Sequence, residues 1–292
     1  MSTAPATTTA RAALALARAC HPGPTVAVTG LTALLARPAG HTLAGGALVI
    51  AAVLTGQLSI GWSNDLIDAR RDRAVGRTDK PVAGGELSES LVRVAIGFAL
   101  VACVALSLAL GPQAGAVHLL AGVAMGWAYN LGLKATLASP LPYAVAFAAL
   151  PAVVWLARPG DRWWSARAWP PLWVMVAGGV LGVGLHLLNA LPDLVDDAAT
   201  GVRGLPHALG ERRVRWLAPA VLLLGSVVTA FGPIVSPTSS GAASGRLGVV
   251  DATVLALCVV LAVVAARGRG RLPFLAAIGI AALDVLGLVL RS

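Results

Sequence analysis

Apolar runs long enough to cross a bilayer recur along the whole chain, at about 23–38, 43–63, 91–110, 114–132, 141–157, 171–190, 214–233, 249–266 and 272–290. A hydrocarbon core of roughly 30 Å takes about 20 apolar residues in a helix. The predicted fold is therefore all-α, a polytopic membrane helical bundle of about nine transmembrane helices. Composition agrees: 57% of the 292 residues are hydrophobic and 12% charged, against roughly 25% charged in soluble domains. Because the runs follow one another with short connections, the reading is one bundle rather than two soluble domains. Residues 1–20 form a tail and a lead-in helix, and 21–292 the transmembrane domain. Ser2 to Thr9 reads as a disordered small-residue tail. Arg11 to Ala19 is basic and apolar but shows no small-residue cleavage site, so it reads as a lead-in helix rather than a signal peptide. The run at 23–38 is the weakest, being interrupted by Pro24, Gly30 and Pro38. It needs residues of the lead-in helix to reach across, and without it the count is eight.

The excess of positive charge, +9, has no basic stripe on a soluble domain to carry it, so nucleic acid is not a predicted partner. Topology explains it instead. With the N-terminus inside, the cytoplasmic side receives Arg11, Arg18, six cations between Arg70 and Arg93, Lys134, four between Arg203 and Arg215, and Arg267, Arg269 and Arg271. These are sixteen of the 22 Lys and Arg. The opposite connections include a tight uncharged turn at Gly111 to Gly115 and a loop from Asp161 to Trp169 whose tryptophans suit a headgroup anchor. A Ser/Gly/Pro loop at Ser236 to Ser244 lies on the same outer side. Cys20, Cys103 and Cys258 show no paired spacing and read as small buried hydrophobes.

Two acidic clusters interrupt this pattern, both on the predicted cytoplasmic side. Asn64-Asp65-Leu66-Ile67-Asp68-Ala69-Arg70-Arg71-Asp72 follows the second run, and Asp193-Leu194-Val195-Asp196-Asp197 follows the sixth. On a helix, Asp65, Asp68 and Asp72 fall within roughly 60° of one another, and Asp193 and Asp197 again share a face. Solvated helix ends would also carry acids, but two one-faced clusters on one side of the membrane suggest a divalent-metal site for a diphosphate. Magnesium takes oxygen ligands, keeps waters, and bridges one or two carboxylates to substrate phosphates. No preorganised cage is evident, so the metal is predicted to arrive with the substrate. Asn64 can orient a carboxylate or contact phosphate. The cations Arg70, Arg71, Arg73, Arg77, Lys80, Lys134 and Arg203 are candidates to balance a diphosphate. Lys134 is the most specific, a lone charge closing the run that ends Tyr129-Asn130-Leu131-Gly132-Leu133.

These residues resemble a known family. Asn64-Asp65-x-x-Asp68-x-x-x-Asp72 with Arg77 and Lys80-Pro81-Val82-Ala83-Gly84-Gly85 is similar to the first signature of the UbiA superfamily of intramembrane prenyltransferases. Asp193-x-x-x-Asp197 with Gly201-Val202-Arg203-Gly204-Leu205-Pro206 and Leu209-Gly210 resembles the second. The Tyr129/Lys134 pair and the runs extend the likeness over roughly residues 20 to 290. The resemblance implies a central cavity open to the membrane and two Mg²⁺ ions between the motifs. It implies transfer of a prenyl group from a prenyl diphosphate to an acceptor through ionisation of the allylic C–O bond. Asp65, Asp68, Asp72, Asp193 and Asp197 would be the catalytic metal ligands. Asn64, Arg77, Lys80, Tyr129, Lys134 and Arg203 would bind substrate, and Asp196 would stand behind the metals, accept a proton or simply be solvated.

Thr78-Asp79 and Gly204 depart from the pattern, where relatives more often carry arginine with proline and a threonine or serine. The expected cavity walls, rich in Ala, Val, Leu and Gly, offer no platform for an aromatic acceptor. Of the histidines inside runs, His118 and His186, the latter stands two turns before Asp193 and is the one to test as a base. Asp284 is expected to be paired within the bundle, and Trp62 to pack in the core or stack on a substrate. The same metal chemistry admits a membrane terpene cyclase, and a non-catalytic prenyl-lipid carrier would share the fold. The acceptor stays open among a quinone-ring precursor, a tetrapyrrole, a sugar phosphate, a glycerol phosphate and a carotenoid.

Overall fold

The computed structural model describes residues 4–158, 169–235 and 247–291. The predicted loops around Asp161 to Trp164 and at Ser236 to Ser244 lie outside the described residues. The rest is helical, with no strand among the described residues: α1 (Ala4–Ala19), α2 (Pro22–Ala36), α3 (Leu43–Ala74), α4 (Glu89–Ala109), α5 (Pro112–Val117), α6 (Ala124–Leu131), α7 (Leu141–Leu156), α8 (Leu172–Ala190), α9 (Leu194–Ala199), α10 (Leu205–Leu209), α11 (Glu211–Val235), α12 (Val249–Arg267) and α13 (Leu272–Arg291). Six of these are long and apolar enough to cross a membrane, taking α8 to α9 as one. The runs expected at 23–38 and 141–157 are shorter helices of 15 and 16 residues. The run at 114–132 is α5 and α6 joined by a π-helical turn, His118–Val123.

Local chemistry sets the ends that matter. Thr42 caps α3, its hydroxyl accepting the Gly45 N–H at 3.1 Å, and Ser88 caps α4 by accepting from Leu91 N–H at 3.3 Å. At 32 residues, α3 is about 48 Å long at 1.5 Å per residue, against a hydrocarbon core of roughly 30 Å. Its last turns, which carry the first acidic cluster, therefore extend past the apolar region while staying helical.

The lead-in helix does not lengthen α2. The chain breaks at Cys20 and His21, whose backbone is left-handed (φ 56°, ψ 69°), and Pro22 and Pro24 follow in the first turn of α2. Helix α1, which begins at Ala4 inside the segment expected to be a tail, packs instead on the acidic end of α3. Ala15 and Ala19 sit in a small core with Ala69, Val82, Leu87, Val92 and Ile96. Trp62 belongs to this core, donating its indole N–H to the Leu16 carbonyl at 2.9 Å, and Arg18 pairs with Glu86 at 2.9 Å. The close approach needs Gly61, because a Cβ there would overlap the Cys20 carbonyl.

A larger core joins α2, α3, α7, α8, α11, α12 and α13. With lipid as solvent there is little hydrophobic drive between helices, so close packing through small residues carries the association. Gly178 and Gly182 of α8 lie against the Phe147 and Tyr143 carbonyls of α7, where a Cβ would collide. Outward faces carry the large apolar residues, Phe98, Val101, Leu120 and Val260 among them. The three cysteines are free and buried. Asp284 is paired as expected, though by a hydroxyl rather than a cation: Ser226 Oγ donates to its Oδ2 at 2.8 Å.

Candidate active site

One cavity of about 270 Å³ runs from the acidic end of α3 down between α2, α3, the α5–α6 rod, α7, α8 and α13. Its upper pole is charged and its lower arm largely apolar, with Leu31, Val53, Val123, Phe147, Leu150 and Ile278 in the wall. On α3 the polar lining residues are Gln57, Asn64, Asp68 and Asp72, in one stripe with Val53, Ile60 and Gly61 at helical spacing.

The two acidic clusters meet at the pole. Asp68 accepts from Lys134 Nζ at 2.7 Å and also pairs with Arg71. Lys134 is enclosed, its side chain 9% exposed; burial lowers its pKa, opposed by the Asp68 carboxylate. Arg77 ties the clusters together. Its backbone N–H donates to the Asp72 carbonyl at 2.8 Å, while its guanidinium reaches Asp193 at 3.0 Å and Asp79 at 2.9 Å. These carboxylates, Asp79 first, raise the Arg77 pKa, and Arg77 in turn lowers that of Asp79. Asp79, a departure from the family pattern, thus holds the guanidinium from its outer side. Asp193 and Asp197 line the cavity, whereas Asp196 stands to the side, 3.8 Å from Arg77.

Lys80 also lines the pole, its Nζ 3.3 Å from His21 Nε2. Burial, then the Lys80 charge, pushes the His21 pKa down to about 3, so the ring is neutral and accepts from the ammonium. Asn64 donates to Asn130 Oδ1 at 3.1 Å, and Asn130 is itself fixed by Ile60 O and Ser63 Oγ, both at 2.9 Å. Asp72 is the exception in this network: its Oδ2 is buried and has no hydrogen-bond partner among the described residues. Such an atom is costly unless a cation completes it. Among the described residues no three His, Cys, Asp or Glu side chains are grouped to cage a metal by themselves. Carboxylates that do not form a closed cage suit Mg²⁺, which shares its ligands with substrate phosphates.

Two predicted residues stand elsewhere. Asp65 is 1% exposed and does not line the cavity; its Oδ2 accepts the Val82 N–H at 3.1 Å, and Lys80 lies 3.9 Å away. It sits at the edge of the roughly 60° face shared with Asp68 and Asp72, where the loop 75–88 folds against α3. Asp65 therefore anchors that loop. Asp65→Ala should strand the Val82 N–H, a loss of about 1–3 kcal/mol; a thermal midpoint equal to wild type would contradict the anchor role. Arg203 is exposed and likewise does not line the cavity.

The sequence model of the UbiA prenyltransferase family matches residues 8–271. The chain belongs to that family. Its fold is close to solved UbiA homologues. That from Aeropyrum pernix K1, an apo structure, superposes with a TM-score of 0.73 at 18% identity, over 91% of this chain and 97% of that one. That from Archaeoglobus fulgidus bound to GPP and Mg²⁺ gives 0.69 at 15% identity, over 94% and 98%. A digeranylgeranylglyceryl phosphate synthase gives 0.62 at 15% identity, over 95% and 96%. In sequence, the chain is 34% identical over 61 residues to a lycopene elongase/hydratase of Haloferax volcanii, a stretch that spans only 20% of that protein.

Within this UbiA-family cavity, Tyr129 is an expected lining residue, whereas Tyr143, Phe147 and Asn189 escaped sequence reasoning. Tyr129 meets Tyr143 edge to face, ring centroids 5.4 Å apart, and Tyr143 stacks on Phe147 at 6.3 Å; all three line the cavity. The expectation that the walls offer no aromatic platform is thus revised: α6 and α7 bring together rings that are 14 and 18 positions apart in sequence. Asn189 fixes the Tyr143 phenol at 3.2 Å. His186, the histidine singled out as a base, is 1% exposed and outside the cavity lining. It contacts Ser139 Oγ at 3.1 Å, and Ser139 accepts the Leu205 N–H at 3.1 Å, so His186 supports the loop of the second motif. That docking also explains Gly204, where a Cβ would collide with the Lys134 carbonyl.

Proposed function

We propose that this UbiA-family chain is a Mg²⁺-dependent prenyltransferase that moves a prenyl group from a prenyl diphosphate to an electron-rich acceptor. One observation carries the reading: a single cavity joins cations and carboxylates of both motifs at one pole to an apolar arm that fits an isoprenoid chain. In this reading Asp68, Asp72, Asp193 and Asp197 would hold Mg²⁺, two ions by family resemblance, while Asp65 is reassigned to the loop and Arg203 is left out of the phosphate contacts. The metal supplies charge neutralisation on the diphosphate. Lys134, Lys80 and Arg77 take the remaining phosphate charge and stabilise it as the allylic C–O bond ionises and the leaving group gains charge. Tyr129 and Tyr143 present ring faces and edges beside the pole, where an aromatic surface stabilises a passing carbocation. The charge asymmetry of the connections supports a cytoplasmic position for this pole.

The test uses the full chain in nanodiscs with GPP and a membrane lipid extract as the acceptor source. Pyrophosphate release is expected only with Mg²⁺ or Mn²⁺ and only with extract present. Release from GPP alone would favour a cyclase, and GPP binding without release a carrier.

A further inference from the structure

The wall of the apolar arm carries two polar side chains that the proposed chemistry does not use. Gln57 and His118 both line the cavity. Gly56, beside Gln57, precedes Asp68 by twelve residues on the unbroken α3, which puts it about 18 Å along the axis from the charged pole. His118 is 5% exposed and opens the π-helical turn, an irregularity that often marks functional positions.

Proton accounting settles what His118 offers. The Ser107 hydroxyl donates its one proton to the Cys103 carbonyl at 2.6 Å, so its oxygen accepts from His118 Nδ1–H at 2.8 Å. The neutral ring therefore carries its lone pair on Nε2. That nitrogen has no hydrogen-bond partner among the described residues, and neither has the Gln57 amide. A Cβ at position 56 would lie 3.2 Å from Nε2, so the glycine leaves it uncovered.

Neither group is fully enclosed, so both are open to whatever fills the cavity, and a purely apolar chain would cover them at a cost. A hydroxyl satisfies both at once, donating to Nε2 and accepting from the Gln57 amide; a ketone cannot donate to Nε2, and a hydrocarbon serves neither. We propose that His118 Nε2 and the Gln57 amide, in the wall of the apolar arm, are a binding subsite for a hydroxyl on the part of an isoprenoid ligand remote from the charged pole. This rests on the diphosphate lying at the charged pole. Reacting atoms must approach within about 3.5 Å, so a group some 18 Å distant along α3 reads the far end of the ligand and takes no part in bond breaking. Either the prenyl donor or the acceptor could bear the hydroxyl.

Binding to the full chain in nanodiscs, with Mg²⁺ present throughout, tests this in two arms. In the first, geranyl, farnesyl and geranylgeranyl diphosphates are each compared with the analogue bearing a hydroxyl on a terminal methyl. In the second, protein saturated with GPP is offered geranylgeraniol or the same chain with the hydroxyl replaced by hydrogen. At least a tenfold preference for the hydroxylated ligand is expected in one arm, which identifies the source. His118→Phe and Gln57→Leu should each abolish the preference while leaving GPP affinity within about twofold. His118→Phe strands Ser107 and risks misfolding; Gln57→Leu removes no internal hydrogen bond and serves as the second variant. No preference in either arm, or a preference that survives Gln57→Leu, overturns the subsite. Failure of GPP to bind at all instead overturns the prenyl-diphosphate reading.

Discussion

Asp72→Asn should lower Mg²⁺-dependent pyrophosphate release by at least about 10²-fold while leaving the thermal midpoint equal to or above that of wild type. The two effects have opposite signs for one reason. Asp72 keeps a buried carboxylate oxygen without a partner, which costs the empty protein and awaits a cation. Losing a metal ligand removes several kcal/mol of charge stabilisation in the transition state, and each roughly 1.4 kcal/mol is a factor of ten in rate. Asp193→Ala should show a comparable loss of release but also free Arg77 from its 3.0 Å contact. Glu211→Gln, at an exposed pair with Arg215, is the neutral control. Pyrophosphate release by Asp72→Asn within tenfold of wild type, or equal release in a chelator, would remove the metal role. A loss of both stability and activity in Asp72→Asn would make the residue structural.

Lys134→Met should weaken GPP binding by roughly 1.5–3 kcal/mol, the range for a hydrogen bond to a charged group, with the bundle intact. Asp68 keeps Arg71 as a partner in the variant, so no bare carboxylate drives unfolding. Lys134→Arg should rescue only in part, because a planar fork replaces a compact ammonium in an enclosed position. Arg267→Met is the comparison, a cation of the α12 C-terminus with no place in the cavity wall. Equal losses in the two variants, measured by equilibrium binding, would reduce Lys134 to a marker of membrane sidedness.

How much of this was readable beforehand differs by level. Hydrophobic runs placed the long helices to within a few residues, apart from the C-terminal end of α3, which continues eleven residues past its run, because crossing a bilayer demands a length that sequence displays directly. The two acidic motifs were legible for the same reason, since charge at the end of an apolar run has no place in lipid. Side-chain direction was less so. Asp65 lies within the face arithmetic yet turns to the Val82 N–H, because the edge of a helical face is decided by whichever loop folds against it. Arg203 follows the motif but projects outward. His186 and His118 look alike in sequence, both within apolar runs; only the neighbouring Ser139 and Ser107, from other segments, separate a loop support from a cavity group. The aromatic ladder and the break at His21 arise from contacts between segments, which no local pattern encodes.

The pairs at the charged pole have a thermodynamic consequence. In the protein alone, Asp68 holds Lys134 and Asp193 holds Arg77, so each acid stands in for a phosphate and each base for a cation. Under the proposed function, an incoming diphosphate must trade places with those carboxylates, and an incoming divalent ion with those bases. Either alone strands half of the exchanged partners in a poorly solvated pocket. Together they leave every charge matched, so each should tighten the other's binding by the same factor, as linkage requires. The pole then behaves as an AND gate, closed to free pyrophosphate-like anions and to free divalent ions, and open to the two at once.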